Sequence, residues 1–159
     1  MLFNPTAVGA AFHKIERGGD ITYHGPGQLV IYPIFDLDTL GLGIAEFVHL
    51  LEEVVMATVA HYGLVATRIA GAAGIWLHAD TTPAKICAVG MRISRRCSMH
   101  GIAINVNTDL KFFDYIVPCG LTGMGVTSLQ KEVGREINLD EVQQVFLTQM
   151  RAVGFHLVD

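Results

Sequence analysis

Twelve consecutive residues, Arg17-Gly18-Gly19-Asp20-Ile21-Thr22-Tyr23-His24-Gly25-Pro26-Gly27-Gln28, hold four glycines, a proline, an arginine and a histidine. No helix or regular strand is built from such a stretch. Glycine permits positive φ and lets other groups approach the main chain closely, and proline removes a donor. The segment must be a shaped loop, and the apolar run Leu29 to Phe35 follows it at once. Arg17, Tyr23 and His24 add polar handles, so the loop reads as a lining. A tight connection between two strands would have the same spacing, and glycine patterns of this kind have low specificity.

The rest of the chain supplies a core for that loop. Its 159 residues are 51% apolar and 16% charged, which places it among globular proteins. The apolar share is high for a free-standing domain, so either a partner surface is buried or part of the fold is missing. A net charge of −4 argues against nucleic acid as the main partner. Cys87, Cys97 and Cys119 have no disulfide-framework spacing, which fits a reducing compartment and hence the cytoplasm. The first residues show no basic, apolar leader pattern, and no apolar run reaches membrane-spanning length, so a membrane is not expected as a partner.

Periodicity predicts an α+β chain, a sheet sandwiched by helices. A strand is expected over Ala10 to Glu16. Another is expected over Leu29 to Phe35, buried on both faces, with Pro33 arguing for an edge or bulge. Ile44, Phe47, Val48, Leu51, Val54, Val55, Thr58, Val59 and Tyr62 recur at helical spacing, and Gly63 ends the pattern. His49 and His61 on that helix read as surface histidines. Strands are expected over 64–69, 74–78, 84–93 and 99–106, and a helical turn over 109–114. A last helix is capped by Asn138, with Glu141 completing an approximate capping box and Gly154 ending it. With no repeat or linker, residues 1–159 read as one domain.

Three further stretches carry candidate chemistry. Pro118-Cys119-Gly120 sets a cysteine in a loop, unlike a core cysteine. The attacking species is the thiolate, and a free thiol near pKa ~8.5 needs a cation or base beside it. Lys85, heading the apolar strand Ile86 to Gly90, can stabilise a thiolate as a cation or take its proton as an amine. Taken singly, Cys119 fits an inert buried thiol as well as a nucleophile, and Lys85 fits a solvated strand end. Met99 to Asn107 places Gly101 and Ala103 on one face, small enough for an apolar chain to lie along the backbone. Cys97 and His100 lack the second ligand pair a metal needs. Arg92, Arg95 and Arg96 form either a solvated face or a dock for an acidic partner.

Together these pieces resemble the lipoyl(octanoyl) transferases, in that family's order and near its spacing. The pieces are Arg17 to Gln28, Lys85-Ile86-Cys87, His100 to Asn107 and Pro118-Cys119-Gly120. The resemblance implies the α/β fold shared with lipoate and biotin protein ligases, a mixed sheet flanked by helices. It implies transfer of an octanoyl group from acyl carrier protein to a lysine of a lipoyl domain. The acceptors it implies are 2-oxoacid dehydrogenases and the glycine-cleavage protein. Cys119 matches the nucleophile and Lys85 the lysine that lowers its pKa. Acyl-binding segments correspond to Arg17, Gly18, Gly19, Asp20, Ile21, Thr22, Tyr23 and His24, to Ala88, Val89 and Gly90, and to Gly101, Ile102 and Ala103. A thioester donor is already activated, so no nucleotide or other cofactor is expected. Family members usually carry several dozen more residues before the Arg-Gly-Gly motif, which puts one sheet edge in question and suggests self-association. Two other readings stand beside this one: an ATP-dependent lipoate or biotin ligase, and a catalytically silent acyl- or carrier-binding domain.

Overall fold

The computed structural model describes residues 5–19, 21–116 and 124–156. The long amphipathic stretch forms helix α2, Ile44–Ala60. It buries Phe47, Leu51, Val54, Val55 and Val59 completely. Glu46 reaches back to the Gly43 N–H at its start. A second long helix, α4, spans Leu139–Ala152. The Asn138 side chain caps it by accepting from the backbone N–H groups of Asp140 and Glu141. Val142, Phe146 and Met150 join the α2 residues in one core cluster with Ile75, Leu77, Cys87, Ile102 and Ile104. Truncating a buried Phe of this kind to Ala costs about 3–5 kcal/mol.

The sheet runs in the order β1-β5-β4-β3-β2, all antiparallel. Its strands are β1 (Gln28–Ile31), β2 (Thr67–Ile69), β3 (Ala72–Leu77), β4 (Ala84–Ser94) and β5 (Cys97–Asn105). The short β6 (Gly125–Val126) pairs in parallel with the start of β4, which makes the sheet mixed. Two short helices, α1 (Leu37–Leu40) and α3 (Leu129–Val133), lie outside the sequence expectation. At four or five residues neither shows a legible period.

Two expectations are corrected. Ala10 to Glu16 forms no strand, and Ala11 to Glu16 stay exposed. The chain there first engages the sheet at Gly18, whose N–H donates to the Met91 carbonyl at 2.9 Å. The strand after the loop ends at Ile31 rather than Phe35, because Pro33 has no N–H to give the ladder. It is an edge strand, not one buried on both faces: Tyr32 and Ile34 beyond it are 58% and 62% exposed.

Strand alternation divides the sheet. Leu29, Val89, Ile102 and Ile104 belong to the helix-side core. Their neighbours on the other face are small or polar: Ala88 pairs with Ala103, Gly90 with Gly101, and Gln28 with Asn105. One irregularity keeps Lys85 on this second face. The register moves from Trp76↔Lys85 to Ile75↔Cys87, so Ile86 is an extra residue in β4. Such a bulge reverses the alternation. Ile86 and Cys87 are consequently both fully buried, while Lys85 and Ala88, three apart, share a face.

Candidate active site

The small-residue face is the floor of an open cavity. Ala88 and Ala103 form the middle of that floor, with Val30 beside them on β1. At the Ser94 end the floor is closed by the chain itself. A Cβ on Gly101 would sit 2.0 Å from the Ile31 carbonyl oxygen and 2.7 Å from the Pro33 ring. A Cβ on Gly90 would meet the Arg17 side chain and the Gly18 carbonyl near 3 Å. These two glycines therefore admit β1 and the Arg17-Gly18 segment, and the room for a ligand lies above Ala88 and Ala103.

Lys85 stands at the opposite end. Its Nζ lies 4.7 Å from the centre of the Trp76 ring. Trp76 is 1% exposed, and its indole N–H donates to the Ala72 carbonyl at 3.0 Å, so the ring is fixed. Gly74, at φ +110°, makes room for the lysine stem: a Cβ there would meet Lys85 Cδ and Cε at 3.2 Å. The Thr127 N–H donates to the Lys85 carbonyl at 2.9 Å, tying its backbone to the β6 side. An indole face attracts a cation by roughly 0.5–2 kcal/mol. The contact fixes where the Lys85 amine stands at this end of the cavity.

Of the residues singled out by sequence, Arg17, Gly19, Ile21, Thr22 and His24 line the cavity, as do Lys85, Ala88 and Gly90 and the β5 residues Gly101 and Ala103. Val89 and Ile102 line it too but also belong to the core, so backbone is what they offer it. Gly18 serves as the sheet anchor described above. Tyr23 faces a second, wider hollow between residues 5–19 and 107–116, which Arg17, Gly19, Ile21, Thr22 and His24 border from their other side. It stacks on Phe112 with ring centres 4.7 Å apart and meets Phe113 edge-on. Burial, then the nearby Asp109 charge, raises its phenol above the ordinary value. Asp20 and Pro118-Cys119-Gly120 lie outside the described residues.

The other two cysteines differ sharply. Cys87 is fully buried, and burial pushes its thiol up to about 12 although the Ala103 backbone and Lys85 act the other way. It remains a thiol at any working pH. Cys97 is exposed on β5. The arginine cluster is largely engaged at home. Arg96 pairs with Asp38 at 2.7 Å and donates to the Leu42 carbonyl, and Arg92 pairs with Glu16. Docking of an acidic partner would have to break these pairs.

Sequence reading missed Asn105, Gly74 and Trp76 as site residues, and took Gln28 only as the last residue of the lining loop. Asn105 was visible as a polar residue closing an apolar strand, and Trp76 as the only tryptophan. Neither signal points to a cavity without the register. Among the described residues, no group of three His, Cys, Asp or Glu side chains is placed to hold a metal. Likewise none of the described helices is long and apolar enough to cross a membrane.

The fold is that of the lipoate and biotin protein ligases. It superposes on a crystal structure of lipoate-protein ligase A bound with ATP with a TM-score of 0.70, at 18% identity over 92% of this chain and 60% of that one. A biotin protein ligase from Aquifex aeolicus gives 0.60, at 16% identity over 79% and 52%. Residues 4–151 match the family model of the lipoyl protein ligase A/B catalytic domain, and the chain belongs to that family. Among curated relatives, an octanoyltransferase of Bacteroides fragilis (strain YCH46) is 58% identical over 138 residues, 86% of this chain and 62% of that protein. An octanoyltransferase of Flavobacterium johnsoniae is 53% identical over 146 residues, 91% and 63%. The chain thus spans about three fifths of the length of the curated relatives it matches.

Proposed function

We propose that this chain performs octanoyl transfer, from an acyl carrier protein to a lysine of a lipoyl domain, through a thioester on Cys119. The observation that carries the reading is Lys85, fixed over Trp76 at one end of an alanine-floored cavity. The names of the relatives that are more than half identical support it. In the first half-reaction the Cys119 thiolate attacks the donor thioester carbonyl. One C–S bond forms, the other breaks, and the carrier leaves as thiolate. The Lys85 ammonium stabilises the attacking sulfur, and the acyl tail lies over Ala88 and Ala103. In the second half-reaction an acceptor amine displaces Cys119 and gives an amide. No nucleotide enters either step.

Incubation with octanoyl carrier protein is expected to add one octanoyl group to the intact mass, and Cys119→Ala is expected to abolish the adduct. Carrier binding without an adduct would favour the silent binding domain. Acylation from free acid that requires ATP would favour a ligase. The reading also includes self-association: Phe12, Ile15, Tyr32 and Ile34 are all at least half exposed, and Tyr32 and Ile34 follow the edge strand. Burial of such side chains is worth roughly 25 cal/mol per Å². Sedimentation is expected to show self-association that reverses on dilution, and a monomer at every concentration would remove it.

A further inference from the structure

We propose that His24 is held as the Nδ1–H tautomer and that its Nε2 lone pair accepts the proton of the attacking amine in the second half-reaction. The argument starts at two backbone carbonyls, which can only accept. The Thr127 carbonyl lies 3.0 Å from the Asn105 side chain, so that contact must be the Asn105 NH₂ group. Asn105 is 3% exposed, and its amide oxygen therefore faces Gln28, 2.8 Å away. An oxygen there requires the Gln28 NH₂ group, and the same NH₂ also reaches the Tyr23 carbonyl at 3.3 Å. Two independent carbonyls thus fix both amides. What Gln28 offers His24 is its oxygen, 2.7 Å from Nδ1. An acceptor facing Nδ1 demands a proton on Nδ1. The neutral ring then carries its one lone pair on Nε2.

The relay also sets where that lone pair stands. Gln28 is opposite Asn105 across β1 and β5, and Asn105 bonds Thr127, whose N–H holds the Lys85 carbonyl. His24 and Lys85 are therefore anchored to the same end of the cavity that both line. His100 lines it too, but it pairs with Met91 toward the far end, and its Nε2 meets the Glu16 carbonyl at 3.1 Å. In the proposed function Lys85 stays charged to stabilise the sulfur, so the aminolysis step needs another proton acceptor.

The step resting on the proposed function balances as follows. A neutral acceptor amine attacks the Cys119 thioester carbon and forms the C–N bond. Its nitrogen becomes positive and acidic, and one N–H proton passes to His24 Nε2. The C–S bond breaks, its electron pair leaves on Cys119 as thiolate beside the Lys85 ammonium, and the exposed imidazolium later releases its proton to water. Gln28 and Asn105 are positioning residues, since they act only through the ring.

Long-range ¹H–¹⁵N correlation of the histidine rings at pH 8, assigned by comparison with His24→Gln, reads the tautomer without any turnover. The Nδ1–H form is expected in the native protein, and Gln28→Met is expected to shift the ring toward Nε2–H. In single turnover, His24→Gln and Gln28→Met should slow aminolysis of the octanoyl-enzyme by on the order of 10²-fold, the size usual for a lost proton acceptor. Formation of the octanoyl-enzyme should change less than threefold. An Nε2–H ring in the native protein, or aminolysis unaffected by His24→Gln, overturns the proposal. If no octanoyl-enzyme forms at all, the proposed function fails, and the spectrum still decides the tautomer.

Discussion

Lys85→Met is expected to slow alkylation of Cys119 at pH 7 by about tenfold, measured in a Cys97→Ser background. An opposite charge within about 4–6 Å lowers an acid's pKa by roughly 1–3 units. A thiol near ~8.5 is only a few per cent thiolate at pH 7, so one to two units of lowering changes the reactive fraction by roughly 8- to 25-fold. Cys97 must be removed because it is exposed and would react in parallel. Cys87 needs no removal, since its buried thiol is pushed up to about 12. Methionine keeps the stem that packs against Gly74 and Trp76, so the fold is not the variable. Lys85→Arg retains the charge and is expected to recover part of the rate. Equal alkylation of the Lys85→Met and parent proteins would remove Lys85 from the activation of Cys119.

Gly101→Ala is expected to cost about 3 kcal/mol of stability, at the upper end of the cost of overpacking. The new methyl would stand 2.0 Å from the Ile31 carbonyl oxygen and 2.7 Å from the Pro33 ring. Neither neighbour is the tip of a flexible side chain, so β1 must move away from β5. Gly63→Ala supplies the contrast. Gly63 has φ +77°, but a methyl added there would meet nothing within 4 Å, so only the left-handed backbone penalty of about 1–2 kcal/mol applies. Denaturant midpoints read both. A Gly101→Ala protein as stable as its parent would mean that the floor at Gly101 is open to a ligand rather than occupied by β1.

Much of the scaffold was legible because it follows simple periods. The stripe from Phe47 to Val59 could be read as a helix, and Asn138 and Gly63 marked ends that the structure keeps. The order of loop, lysine strand and glycine strand was legible as a family pattern. The placement of Lys85 was not. Alternation alone would put Lys85 and Ala88 on opposite faces, and only the extra residue at Ile86 reverses this. A bulge has no period and leaves no trace in composition. Ala10 to Glu16 erred in the other direction, since weak alternation there finds no partner strand. The crowding at Gly101 was not legible either: the residue lines the cavity as a small residue should, but β1 also approaches it closely. The His24 relay was invisible for a similar reason: Asn105 is 77 residues from Gln28, and Thr127 a further 22, so only the folded sheet brings them together.

A crystal structure of the octanoyl-enzyme is the most direct test. The account predicts the tail lying over Ala88 and Ala103, and the Cys119 sulfur within about 4–6 Å of the Lys85 ammonium, close enough for the charge to act. A tail in the wider hollow between residues 5–19 and 107–116, or a sulfur well beyond that distance, would contradict it.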